Sequence, residues 1–109
     1  MLLILSADDY APPCVTFSAA VKNNILDDSL FIRLLYSTAD YTTNGLYLRN
    51  YTKEKLVFIE KDILDAYKSS KTKTVSLAEH AAVNSMLKVS GVWESTNAIG
   101  LAYKFSHLF

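Results

Sequence analysis

Two short stretches of this chain alternate so strictly that little choice remains about which way their side chains point. Leu30-Phe31-Ile32-Arg33-Leu34 and Leu46-Tyr47-Leu48-Arg49 both step between purely apolar and mixed positions. A strand sends successive side chains to opposite faces, so Phe31, Arg33, Tyr47 and Arg49 fall on one side of a sheet. Leu30, Ile32, Leu34, Leu46 and Leu48 fall on the other. The leucine side needs a core to cover it, whereas a side that mixes arginine with rings can face water or a ligand. A β-bulge would invert the assignment beyond the point where it occurs.

Size and charge limit what such a sheet can belong to. The chain has 109 residues, half of them apolar, which predicts one folded domain over 1–109, with an N-terminal arm over 1–13 and a core over 14–109. Eleven basic and eleven acidic residues cancel, so any attraction for nucleic acid must come from local charge arrangement. The single cysteine, Cys14, has no partner for an internal disulfide, which fits an intracellular setting, with cytoplasm, nucleus and virion not distinguished. Met1 to Leu5 is apolar but lacks a basic leader, and five residues are too few for a secretory segment or a membrane span. It reads as a short strand or a docking tail, with no membrane partner.

Around the two alternating runs the pattern is mostly β. Cys14 to Lys22, with Val15, Phe17, Ala19 and Val21 in phase, predicts a first strand, and Asn23 to Asp28 a loop. Strands two and three follow over about 29–37 and 45–51. Leu56, Ile59, Ile63 and Tyr67 then recur at spacings of three and four, predicting a helix to about Lys68 with Thr52 as its cap. Ser76-Leu77-Ala78-Glu79 fits a capping box, and so predicts a short second helix through Ala82 or beyond. Two strands close the chain: Leu87, Val89, Gly91 and Trp93 share a phase, as do Ile99, Leu101, Tyr103 and Phe105, with Ser95 to Ala98 as the turn. Trp93 beside that turn could be a ring of a binding loop, but its phase with Leu87 and Val89 assigns it to the core or to a barrel end.

The predicted class is therefore α+β, mostly β, as a five-stranded antiparallel barrel with a helix between strands three and four and a short extra helix. In element order over about 14–107, and in the Arg/Tyr face, the chain resembles small OB-fold proteins that bind single-stranded nucleic acid, those of viruses among them. The resemblance implies binding on the outer face of strands two and three, flanked by the loops at Asn23 to Asp28 and Ser95 to Ala98.

That binding has a simple chemistry. Every base has a flat π-face that Phe31 or Tyr47 can stack, while Arg33 and Arg49 neutralise phosphates, helped by Lys22, Lys88 and Lys104. The plainer reading makes these cations the solvated side of ordinary amphipathic strands. Lys71 and Lys73 could touch a phosphate, though such a run is more often simply solvated, and most of Tyr36, Tyr41, Tyr51, Tyr67 and Tyr103 read as structural. Catalysis finds little purchase: His80 and His107 have no metal-ligand spacing with Cys14 or a carboxylate pair, and the three glycines form no phosphate loop. No catalytic residue, metal or cofactor is expected. The favoured function is non-catalytic binding of single-stranded nucleic acid, DNA ahead of RNA. The alternative is a structural or assembly subunit, of a virion or a multiprotein complex, forming a homo-oligomer or docking on a protein partner through residues 1–5 and 105–109.

Overall fold

A computed structural model of the chain describes residues 4–22, 29–81 and 85–107. The expected loop at Asn23 to Asp28 lies outside the described residues, as do the ends of both proposed docking segments. The class is as expected, α+β and mostly β. The strands are β1 (Leu5–Ser6), β2 (Val15–Phe17), β3 (Val21–Lys22), β4 (Leu30–Ser37), β5 (Thr42–Asn44), β6 (Leu46–Arg49), β7 (Thr72–Thr74), β8 (Ser85–Glu94) and β9 (Ala98–His107). Helix α1 spans Lys53–Lys68 and α2 spans Leu77–His80. No described helix is long and apolar enough to cross a membrane.

The longest strands organise the sheet. Along one edge β8 pairs antiparallel with β9; along its other edge it pairs with β6 through Leu87 to Val89 and with β4 through Gly91 to Glu94. β4 in turn carries β2, β3 and β5. Two parallel pairings, β1 with β6 and β7 with β9, make the sheet mixed where an all-antiparallel one was expected. Among the described residues the nine strands form one open sheet whose main path runs β1-β6-β8-β4-β2, with β3 and β5 branching from β4 and β9 joining β8 to β7; these pairings do not trace the expected closed five-stranded barrel. The expected first strand splits at Ser18 to Ala20; the third, expected over about 45–51, is the shorter β6, and β5 forms in the connection ahead of it, separated by Gly45, whose φ of 95° suits a residue without a side chain. Gly45 donates its amide to the Leu34 carbonyl at 2.8 Å, so this kink hands the chain from pairing with β4 to pairing with β8.

One side of the sheet is covered and the other is not. Ile32, Leu34, Leu46, Leu48, Leu87, Val89 and Val92 form a core with Leu56, Ile59, Ile63 and Leu64 of α1. The helix follows its sequence pattern closely: Thr52 Oγ1 accepts the Lys55 amide at 3.2 Å, and the last helical residue is Lys68. Ala7 and Tyr10, in the expected arm, also join the core, with the Tyr10 hydroxyl donating to Asp62 at 2.7 Å. Burial, reinforced by the Asp62 carboxylate, pushes the Tyr10 pKa upward.

The second helix departs from its capping-box reading. It ends at His80, and the Ser76 side chain makes no cap; Ser76 Oγ pairs instead with the Tyr103 hydroxyl at 3.0 Å. The amides of Ser76 and Leu77 point at Glu60 of α1, donating to its carboxylate at 3.1–3.2 Å. Glu60 is fully buried, so burial raises its pKa while the two amides pull it back. A carboxylate sixteen residues upstream thus does what the local sequence assigned to Ser76 and Glu79.

Candidate nucleic-acid interface

The uncovered side of the sheet is built by alternation, as the sequence requires, and then altered by one bulge. Arg33 lies across from Gly91, Phe31 from Trp93, Tyr47 from Lys88, and Lys88 from Lys104. Directly opposed residues of a ladder share a face, so Phe31, Arg33, Tyr47, Lys88 and Lys104 all stand on the open side. Arg49, two residues beyond Tyr47 on β6, shares that side and is exposed. Lys22 does not. It opposes Leu30, which points away from Phe31, so the structure places it on the reverse face.

Ser90 is the extra residue of a β-bulge: the register with β9 jumps between Val89 and Gly91. Before it, odd-numbered residues of β8 are buried; after it, Val92 and Glu94 are buried and Trp93 turns outward. The phase that set Trp93 with Leu87 and Val89 therefore fails at Ser90. The indole covers Gly100 and Phe31 reaches over Gly91, so closely that a methyl group on either glycine would meet the ring. Leu30, the first residue of β4, keeps its apolar phase but is 39% exposed.

Phe31, Arg33, Asn44, Lys88 and Ser90 line a shallow depression of about 160 Å³. Asn44, just before the Gly45 kink, and Ser90, in the bulge, were not among the expected site residues; the Asn44-Gly45 pair does signal a special backbone conformation, whereas the bulge at Ser90 leaves no strong sequence signal. Lys88 Nζ sits 5.5 Å from the centre of the Tyr47 ring. Arg33, Arg49, Lys88 and Lys104 make no ion pair among the described residues.

Charge is sorted between the two sides. The described strands hold six basic residues, Lys22, Arg33, Arg49, Lys73, Lys88 and Lys104, and one acidic residue, Glu94. Glu94 faces inward, 5% exposed, and accepts from Lys68 at 2.8 Å, Lys71 at 2.6 Å and the Tyr67 hydroxyl at 2.6 Å. These partners, Lys68 first, hold its pKa at about 2; burial and the neighbouring carboxylate lift Tyr67 to about 12. Lys73 pairs with Asp65. Lys71 and Lys73 thus serve carboxylates of the fold, and the open face carries four cations with no strand-borne carboxylate to offset them.

Several other expectations find a place in the core. Tyr36 is buried, and Tyr41, Tyr51, Tyr67 and Tyr103 pack against the core. So do Leu5 and Phe105, from the two segments considered for docking, with Phe105 set edge-on to Tyr103 at 5.7 Å. No family model, curated protein or solved structure matches the chain.

Proposed function

We propose that this protein binds single-stranded nucleic acid, without catalysis, on the open face of its sheet. The observation that carries the reading is the union, on that one face, of Arg33, Arg49, Lys88 and Lys104 with the rings of Phe31, Tyr47 and Trp93, and no strand carboxylate among them. A neutral chain can present such a face because its acids stand elsewhere. Stacking on a ring contributes roughly 1–3 kcal/mol per base and is indifferent to base identity, while the cations follow the backbone. Single-stranded DNA is the first ligand to test. The likeness to OB-type single-strand binders rests on element order, with α1 after β6 and before the β8–β9 pair; the open path of the sheet and its two parallel pairings are where the two differ.

Fluorescence anisotropy with a labelled oligothymidylate tests the reading. The affinity should fall with salt at a slope near −2.8, about −0.7 for each of four phosphate contacts. Arg33→Ala with Tyr47→Ala should weaken binding at least about tenfold with folding intact. Lys61→Ala, exposed on α1, should leave binding unchanged. A parent protein that retains no strand at low salt, or variants on the two elements that behave alike, would refute it.

A further inference from the structure

The depression at the Ser90 bulge is placed where a backbone, rather than a base, would be held. Its volume, about 160 Å³, is well below that of sites for whole small-molecule ligands, roughly 300–1,000 Å³. Two cationic side chains, an amide side chain and a hydroxyl side chain border it, those of Arg33, Lys88, Asn44 and Ser90. Cationic and neutral donors around a small opening suit the oxygens of one phosphate. The ring of Phe31 forms its apolar wall.

Lys88 has a second engagement. It lines the depression, yet its ammonium also lies over the Tyr47 ring, 5.5 Å from the centroid. A base cannot stack on the ring face that the ammonium occupies. Resting on the proposed function, we infer that the depression is a seat for one phosphodiester held by Arg33 and Lys88, and that Lys88 leaves the Tyr47 ring to reach it. One side-chain movement then creates both a phosphate contact and a stacking surface. The seat sets the register of the strand, with one phosphate at Ser90 and a neighbouring base on Tyr47.

This coupling makes an unusual demand on Lys88→Gln. Losing the charge removes a phosphate contact and should make the salt slope shallower by about 0.7. Losing the ammonium also uncovers Tyr47, which should return roughly two- to fivefold in affinity for a base-bearing strand. The experiment titrates labelled oligothymidylate, and an abasic strand of the same length, into the parent, Lys88→Gln, Tyr47→Ala and the double variant at about 50 and about 200 mM salt. With oligothymidylate, Lys88→Gln should bind more weakly than the parent at the lower salt and equal or exceed it at the higher. In the Tyr47→Ala background, and with the abasic strand, Lys88→Gln should only weaken binding. An equal effect of Lys88→Gln in both backgrounds, or an unchanged salt slope, overturns the inference while leaving the binding face standing. Absence of binding by the parent overturns both.

Discussion

Protonating or replacing Glu94 should release the end of β8 from the end of α1, and the cost can be worked from the geometry. Its carboxylate is nearly enclosed and receives Lys68, Lys71 and the Tyr67 hydroxyl within 2.8 Å. These contacts lower its pKa from 4.5 to about 2, a displacement equivalent to at most ~3 kcal/mol of stability near neutral pH. Lys68 is 45% exposed, so solvent screening reduces the expectation to about 2 kcal/mol. The sign follows from the depressed value: the folded state holds the charged form more firmly than the unfolded chain does. The contribution is therefore complete above the unfolded pKa of roughly 4.5, falls to about half near pH 3, and vanishes as pH drops through about 2. Urea denaturation of the parent and Glu94→Gln measures it directly. Glutamine keeps an acceptor for Tyr67 but leaves both lysines without a counter-charge. The variant should be less stable by about 2 kcal/mol near pH 7 and by about 1 kcal/mol or less near pH 3. A gap that stays the same size at the two pH values, or no gap near neutrality, would show that the ion pairs do not hold this corner.

Two further substitutions probe features that position the open face. Gly91→Ala drives a methyl group into the Ile32 carbonyl oxygen and against Phe31, so it should destabilise the fold by about 1–3 kcal/mol in urea titrations and displace the Phe31 ring; a neutral result would contradict the close approach of β4 and β8. Glu60→Ala removes the acceptor of the Ser76 and Leu77 amides, and should cost about 2 kcal/mol or more and speed hydrogen exchange at Leu77; unchanged exchange there would show that another group caps α2.

Much of the architecture was legible because it depends on neighbours in the chain. The facing of Phe31, Arg33, Tyr47 and Arg49 follows from alternation, and the extent of α1 follows from its apolar spacing and the Thr52 hydroxyl. Such features are local, and local geometry needs no knowledge of the fold. Lys88 and Lys104 were also placed correctly, since no bulge intervenes between them and the core residues that set their phase.

Where the reading failed, a distant element supplied the missing condition. Trp93 faces outward because β8 must accommodate one more residue than β9, a count that exists only once the two are paired. Lys22 lies on the reverse face because β3 takes its register from β4. Glu60 displaced Ser76 and Glu79 as the cap because α1 brings a buried carboxylate to two amides of α2.

The sequence by itself determined which side of each amphipathic strand is apolar, how long the main helix runs, and that equal numbers of acids and bases leave no net field. Only the tertiary structure decided how those charges are distributed. Strand pairing gathers four cations from four strands onto one face, while the one carboxylate of the described strands, Glu94, is turned inward and neutralised by Lys68 and Lys71. Electrostatic interaction falls with distance through space, not along the chain, so a neutral sequence can still fold into a surface that is locally cationic.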